Sequence, residues 1–188
     1  MTISTRRRPA VRRFVLCGLA ATASRPVTVI ALLLALCAPA ASALEPGDPA
    51  PKFSAASLSG KERISLSDYR GRVVYVDFWA SWCGPCVVSL PAIDELRKEF
   101  PPQDFQILAI NVDEDVDRAR RFLARRPVGY PSASDPAGSL PKLFGLETMP
   151  TSYLIDRKGV VRYVHRGFKR GDEDKLREEI RQVLGPRR

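Results

Sequence analysis

The chain carries the run VDFWASWCGPC at residues 76–86, which joins the end of a strand to the start of a helix. The surrounding segment Arg72–Ala80 is dense in β-branched and aromatic residues and is apolar on both faces except at Asp77. This pattern predicts a central buried strand. Beyond the two cysteines, apolar residues recur at helical spacing and predict a helix over Pro85–Phe100. The cysteine pair is therefore expected where a buried strand ends and a helix begins.

A Cys-x-x-Cys pair at a helix N-terminus is suited to thiol chemistry. Free backbone N–H groups and the positive end of the helix dipole favour the thiolate form of the first cysteine, Cys83. Cys86 follows one turn into the predicted helix, where it is shielded and can attack a mixed disulfide formed at Cys83. Pro85 can start the helix because no hydrogen-bond donor is needed there. The alternative is half of a tetrahedral zinc site, but after residue 43 only His165 could join the two cysteines as a histidine or cysteine ligand.

The other periodicities predict a mixed sheet between layers of helix. A short hairpin is expected before the cysteines, and a second hairpin late in the chain. The order β-α-β-α followed by β-β-α argues for a three-layer α/β/α sandwich. The further predicted elements are the strands Phe53–Leu58, Ile64–Leu66, Phe105–Val112, Thr151–Asp156 and Val160–His165, an extended piece around Tyr130, a helix after the acidic run Asp113–Asp117, a helical turn at Gly138–Phe144, and a last helix over Gly171–Leu184 with Asp172 as its N-cap.

Length and composition are those of one globular domain with a basic leader. The 188 residues are 45% hydrophobic and 27% charged, a balance that argues against bulk disorder. The net charge is +9, but six arginines and no acidic residue fall within residues 1–43. The rest of the chain has 24 basic and 21 acidic side chains, which leaves a net charge of +3. The overall charge therefore gives little support to a nucleic-acid-binding function.

Residues 1–43 have the pattern of a secretory signal peptide. A basic segment precedes the apolar run Val27–Ala40, and the small residues Ala41-Ser42-Ala43 predict cleavage before Leu44. The alternative is an uncleaved membrane anchor, because the uncharged run Pro26–Leu44 has 19 residues and could span a bilayer. In both cases the basic segment stays inside, and the rest of the chain is expected outside the cytoplasm.

Removal of the leader would leave a simple domain organisation. Residues 44–52 are rich in Pro and predict a linker, and residues 53–188 predict the folded domain. Cys83 and Cys86 would then be the only cysteines. A disulfide between them closes a very short loop and adds little stability, so the pair is expected to be chemical rather than structural.

At these residues the chain resembles the thioredoxin superfamily, and more narrowly the exported TlpA/ResA-like disulfide reductases. The run at residues 76–86 matches the family's active-site strand, turn and helix start without gaps. Pro91 stands where the family's active-site helix is kinked, and Met149-Pro150-Thr151 matches its cis-proline loop. The resemblance implies a thioredoxin-like sandwich with an N-terminal hairpin and a central βα insertion between Val112 and Thr148.

The resemblance also implies roles for individual residues. Asp77 would relay a proton to and from Cys86; the alternative is a partly solvated carboxylate at the strand edge. Trp82 would cover the disulfide, or else pack as an ordinary core residue. Gly167 matches a family glycine near the active-site surface, or forms a plain turn. The residues that would contact the substrate are Trp82, Gly84, Pro85, Met149 and Pro150, and the Met149–Pro150 bond would be cis.

The implied function is an exported thiol-disulfide oxidoreductase that reduces periplasmic protein disulfides. Its redox group would be the Cys83–Cys86 pair itself, with no metal or other cofactor, and a membrane thiol-electron donor would reduce it again. Ser89 stands where many cytochrome-maturation members carry Glu, which argues against an apocytochrome c role. The alternatives are a copper-binding chaperone, which would require His165 near the cysteines, and a peroxidase. As an isolated imidazole, His165 is otherwise expected to be an ordinary strand residue.

Overall fold

The computed structural model describes residues 43–186, so the predicted leader lies, apart from its last residue, outside the described residues. Within that range the chain forms seven strands and four α-helices. The strands are β1 Ser54–Ser57, β2 Arg63–Ser65, β3 Val73–Trp79, β4 Phe105–Asn111, β5 Ser132–Ser134, β6 Thr151–Ile155 and β7 Val161–Arg166. The helices are α1 Gly84–Arg97, α2 Val116–Arg125, α3 Ser139–Leu143 and α4 Asp172–Leu184, with a 3-10 turn at Leu66–Tyr69.

All seven strands belong to one mixed sheet, in the order β2-β1-β5-β4-β3-β6-β7. The central strand β3 pairs in parallel with β4 and antiparallel with β6, and every one of its seven residues is buried. The predicted central strand is therefore confirmed, and so are the early hairpin of β1 and β2 and the late hairpin of β6 and β7. The insertion expected between β4 and β6 consists of α2, β5 and α3.

Helices cover the two faces of the sheet unequally. One face packs against α1, α2 and α4, because right-handed crossovers from β3 to β4 and from β4 to β5 place α1 and α2 on the same side. The other face packs against α3, the 3-10 turn and the segment before β1. Alternate residues of β3 point to the two faces, so that Tyr75 and Trp79 lie on the face covered by α1, α2 and α4, while Val76 and Phe78 lie on the face covered by α3. The predicted three-layer sandwich is present, with one heavy and one light helical layer.

The segment 44–52, predicted as a linker, has no helix or strand of its own but is bound to the domain. The N–H of Gly47 donates to the carbonyl of Val161 at 2.8 Å, and the N–H of Val161 donates to the carbonyl of Asp48 at 2.9 Å. The N–H of Ala50 donates to the carbonyl of Gly159 at 2.9 Å. These bonds cover part of the β7 edge, which would otherwise expose unpaired backbone groups.

The predicted N-cap of the last helix is wrong by one residue. Gly171 is the N-cap of α4, with a left-handed backbone and no side-chain hydrogen bond to the helix. Asp172 is the first helical residue, and its carboxylate instead accepts a 2.9 Å hydrogen bond from the N–H of Lys169. No helix within residues 43–186 combines the length and the apolar character needed to cross a lipid bilayer.

Candidate active site

Cys83 and Cys86 form a disulfide at the N-terminus of α1, with Cα atoms 5.3 Å apart. Cys83 is the N-cap residue, and its Sγ accepts a hydrogen bond of 3.3 Å from the N–H of Cys86. Cys83 is 5% exposed, whereas Cys86 is 0% exposed. In the reduced protein, the helix N-terminus favours the thiolate at Cys83, which is also the more accessible sulfur. Cys83 thus lies on the surface side of the pair, and Cys86 lies on its core side.

Asp77 lies fully buried on β3, on the sheet face that carries both cysteines. Its Oδ1 accepts a 2.6 Å hydrogen bond from the hydroxyl of Ser152, while Oδ2 is buried with no hydrogen-bond partner among the described residues. Burial raises the pKa of Asp77 to about 7, although the Ser152 hydrogen bond opposes that rise. The alternative of a partly solvated carboxylate is therefore wrong. A group that titrates near pH 7 can both accept and return a proton under physiological conditions.

Three predicted substrate-contacting residues surround the disulfide at the surface. Trp82 is 56% exposed, so it does not pack in the core, and Gly84 and Pro85 are exposed as well. An exposed tryptophan next to a nearly buried sulfur leaves an apolar surface through which another protein can approach Cys83. Pro85 occupies the first turn of α1, as expected.

The cis-proline loop precedes β6, and Met149 packs against the buried cluster that contains both cysteines. The Met149–Pro150 peptide bond is cis, in agreement with the resemblance. The carbonyl of Pro150 accepts a 2.7 Å hydrogen bond from the N–H of Gly167. Gly167 has a φ of 88°, a left-handed conformation that other residues rarely adopt. Gly167 is therefore a turn residue, and its N–H also holds the carbonyl of Pro150.

Two buried polar residues of the site were not predicted from the sequence. Ser152, on β6, pairs directly with Asp77 in the antiparallel register. Asp113, just after β4, accepts 2.8 Å hydrogen bonds from both the N–H and the hydroxyl of Ser81, two residues before Cys83. The amide of Asn111 donates to the same carboxylate at 2.7 Å. Ser152 could have been found as a polar residue inside a predicted buried strand. The sequence around Asp113 gives no sign that its carboxylate binds the loop that carries Cys83.

The side chains of His165 and Ser89 both contact polar groups within the fold. The Nε2 of His165 lies 2.6 Å from a carboxylate oxygen of Glu179 on α4, so this nitrogen is engaged within the fold. The hydroxyl of Ser89 donates to the carbonyl of Cys86 at 3.2 Å, which places a neutral hydroxyl beside the turn of Cys86. No cluster of three or more His, Cys, Asp or Glu side chains suited to a metal ion occurs in residues 43–186.

The sandwich, the Cys-x-x-Cys pair at a helix start and the cis-proline loop together define a thioredoxin-like thiol-disulfide oxidoreductase. A model of the Redoxin family matches residues 45–180, and the chain belongs to that family. Within it, the chain is a TlpA/ResA-like member of the thioredoxin superfamily.

Individual relatives agree with this assignment. The thiol-disulfide oxidoreductase ResA of Bacillus thuringiensis subsp. konkukian (strain 97-27) is 31% identical over 140 residues, covering 74% of this chain and 79% of ResA. The thioredoxin-like protein YneN of Bacillus subtilis (strain 168) is 33% identical over 138 residues, covering 71% of this chain and 79% of YneN. The crystal structure of a protein assigned as the thiol:disulfide interchange protein DsbE of Chlorobium tepidum has a TM-score of 0.72. It is 43% identical and covers 76% of this chain and all of that chain.

Proposed function

We propose that this chain is an exported reductase of protein disulfides that works through a Cys83/Cys86 dithiol-disulfide cycle. The observation that carries the proposal is the placement of Cys83 at the N-terminus of α1, on the same sheet face as the buried carboxylic acid Asp77. The first feature favours a thiolate nucleophile, and the second provides a proton acceptor that titrates near pH 7. The Gly-Pro pair between the cysteines also goes with the reducing relatives of the superfamily.

The proposed cycle transfers two electrons to the substrate. The Cys83 thiolate attacks one sulfur of a substrate disulfide, forms a mixed disulfide and releases the other substrate sulfur as a thiolate. Cys86 then gives its proton to Asp77 and attacks the sulfur of Cys83, which releases the second substrate thiolate. The Cys83/Cys86 dithiol is thereby oxidised to a disulfide, and the substrate disulfide is reduced to two thiols. The proton on Asp77 and one from solvent balance the two product thiols.

Substrate binding is assigned to the exposed surface around Cys83. Trp82, Gly84 and Pro85 provide an exposed apolar surface, and the backbone of Met149 beside Pro150 can pair with an extended substrate segment. Such pairing recognises backbone rather than sequence, which suits an enzyme that accepts several protein disulfides. The substrate class is therefore protein disulfides rather than one small molecule.

The site of action is proposed from the leader. A basic segment, an apolar run and Ala41-Ser42-Ala43 support export to the periplasm, either by cleavage before Leu44 or as a tethered protein. In an oxidising compartment, the oxidised pair has to be reduced from outside the chain. A thiol-electron donor in the membrane is the proposed partner. Mass spectrometry of the protein recovered after expression of the full chain tests the cleavage, because the processed form begins at Leu44.

The direction of the reaction is tested by the reduction potential of the Cys83–Cys86 pair against glutathione. The Cys86→Ser variant is the control, because it cannot form the internal disulfide. A potential near that of thioredoxin, about −270 mV, supports a reductase that needs an electron donor. A potential near about −120 mV, typical of strong oxidants, contradicts the proposed direction.

A further inference from the structure

A cavity outside the candidate active site opens at the other end of the sheet. It has a volume of about 170 Å³ and lies where β3 begins and β6 ends, on the sheet face covered by α3 and the 3-10 turn. The two cysteines follow the opposite end of β3 and lie on the other face. The seven residues of β3 separate the two places by about 20 Å. The proposed disulfide chemistry therefore makes no use of this cavity.

Backbone hydrogen bonds connect the three segments that form the walls of the cavity. The N–H of Gly71 donates to the carbonyl of Arg157 at 3.3 Å, which joins the loop before β3 to the turn between β6 and β7. The N–H of Ala50 donates to the carbonyl of Gly159 at 2.9 Å, which joins the segment before β1 to the same turn. The cavity is therefore a fixed feature of the fold, as binding sites for small molecules usually are.

The floor of the cavity is apolar. Val74 of β3 and Ile155 of β6 are 2% and 1% exposed, and Ala50, Leu66 and the ring of Tyr69 form the sides. An apolar cavity of similar volume can hold a ring of about six carbon atoms. A group of that size would lose apolar surface to water on entering the cavity, and this loss favours binding.

The rim of the cavity is cationic. Five basic side chains line it, against the single carboxylate of Asp156. That carboxylate already accepts a 2.8 Å hydrogen bond from Arg162, and Arg157 of the rim pairs with Asp104 at 3.3 Å. The other four basic side chains have no ion pair and no side-chain hydrogen bond within residues 43–186; they are Lys52, Arg70, Arg72 and Lys158. The rim therefore favours an anion.

Arg72 and Tyr69 are the rim residues best suited to bind an anionic group. Arg72 is only partly exposed, yet its guanidinium N–H groups have no acceptor in the part of the chain that the structure describes. A guanidinium group binds a carboxylate through two parallel hydrogen bonds. The hydroxyl of Tyr69 has no hydrogen-bond partner among the described residues either. Burial raises the pKa of Tyr69, so its hydroxyl keeps its proton and can donate it to an anion.

We propose that this cavity binds a small organic carboxylate that carries an apolar group of about six carbon atoms. The apolar group lies on Val74 and Ile155, and the carboxylate accepts hydrogen bonds from Arg72 and Tyr69. A head group with one negative charge fits this place, because a second charge would raise the cost of moving the anion next to an apolar floor. Binding is non-covalent, and the proposal does not depend on the chemistry of the cysteines.

The test titrates the oxidised protein, isotope-labelled and isolated after expression of the full chain, with benzoate and follows the amide signals by NMR. Benzoate is expected to shift the signals of Gly71 and Gly159 with a dissociation constant near about 1 mM, as is usual for a ligand of this size. Benzamide has the ring without the charge, and acetate has the charge without the ring. Each is expected to bind at least about 10-fold more weakly than benzoate.

Matched variants test the two rim residues. Arg72→Met keeps an apolar stem and is expected to weaken benzoate binding at least about 10-fold, while Tyr69→Phe weakens it about 3-fold. The double variant Lys52→Gln with Arg70→Gln changes only exposed side chains and is expected to weaken binding about 3-fold, even if Arg72→Met fails to fold. Arg118→Met is the control, because Arg118 is exposed on α2 and has no ion pair among the described residues. It is expected to bind benzoate like the natural protein.

Three results of the titration would overturn the proposal. They are shifts that do not saturate up to about 10 mM benzoate, benzamide binding as tight as that of benzoate, and equal weakening by Arg118→Met and Arg72→Met. Sedimentation with phosphatidylglycerol vesicles tests a membrane surface as the occupant. Vesicle binding that Arg72→Met removes, without binding of benzoate, would also overturn the proposal. The reduction potential of the cysteine pair is expected to be the same with and without benzoate, so failure of this proposal leaves the proposed function intact.

Discussion

Ser81 and Asp113 lie 32 residues apart in the sequence and are joined by two hydrogen bonds of 2.8 Å. The Ser81 backbone N–H donates to one carboxylate oxygen and the Ser81 hydroxyl donates to the other. Ser81 belongs to the loop that carries Cys83, and Asp113 follows the neighbouring parallel strand. This pair therefore ties the end of β4 to the active-site loop and holds Cys83 at the start of α1.

Asp113→Ala is expected to destabilise the protein by about 3 kcal/mol, because it leaves the N–H of Ser81 and the amide of Asn111 without their acceptor. Denaturant unfolding of the oxidised protein measures the change. Glu114→Ala, at the next position and exposed, is the control and is expected to shift the midpoint little. Equal effects of the two substitutions would show that Asp113 does not support the loop.

The buried carboxyl group of Asp77 predicts a stability that depends on pH. The folded protein holds this proton up to about pH 7, whereas the unfolded chain releases it near 3.8. Between these values the folded state binds more protons, so the free energy of unfolding falls as the pH rises from about 4 to 7. The rise of roughly three pKa units corresponds to a loss of about 4 kcal/mol that is complete above pH 7.

Asp77→Asn removes this loss and is therefore expected to be more stable than the natural protein at pH 8, by up to about 4 kcal/mol. At pH 4 the two proteins are expected to differ much less, since Asp77 is neutral in the folded protein there. Urea unfolding at both pH values gives the comparison, with Glu114→Gln as an exposed control. A stability difference that did not grow with pH would contradict the raised pKa of Asp77.

The two cysteines are expected to react differently after reduction. Cys83 is at the helix N-terminus and retains some exposure, whereas Cys86 has none. Alkylation by iodoacetamide at pH 7 is therefore expected to be at least about 10-fold faster at Cys83, as measured by peptide mass spectrometry. Cys86→Ser should also accumulate a mixed disulfide with an oxidised protein substrate, and Cys83→Ser should not. Preferential labelling of Cys86 would reverse the assigned roles.

Trp82 is expected to affect substrate binding rather than folding. Its side chain is 56% exposed, so Trp82→Ala should change the free energy of unfolding by less than about 0.5 kcal/mol. The KM for a protein disulfide is expected to rise by about 10-fold, while the rate with glutathione disulfide stays nearly constant. Leu143→Ala is the matched control, because Leu143 is 48% exposed and belongs to α3 on the opposite sheet face. Similar effects of Trp82→Ala and Leu143→Ala on the KM would contradict a role of Trp82 in substrate binding.

Local patterns were sufficient to predict most of the secondary structure. The central strand, the helix at the cysteines and both hairpins were predicted because apolar periodicity depends on which residues are neighbours along the chain. The boundaries differ by a few residues, as in the helix predicted over Pro85–Phe100, which ends at Arg97. The N-cap of α4 was predicted wrongly because Asp172 has a competing partner, the N–H of Lys169, in the preceding turn.

Part of the candidate active site could also be predicted from local sequence patterns. The placement of Cys83 and Cys86 at a helix start follows from a strand pattern and a helix pattern that meet there. The burial of Asp77 also agrees with its position in an apolar strand. The cis bond before Pro150 was expected from the resemblance to a family, because spacing alone does not distinguish cis from trans proline.

The sequence by itself therefore determined the order of the elements, the class of sheet and the position of the redox pair. Only the tertiary structure decided which buried polar groups meet. Ser152 faces Asp77 across a strand pair, Asp113 accepts hydrogen bonds from Ser81 across the parallel pair, and Glu179 reaches His165 from a helix. The physical reason is that the register of strands and the packing of helices bring together residues far apart in the chain. No local periodicity contains that information, and yet these contacts set the surroundings of Asp77 and the position of the loop that carries Cys83.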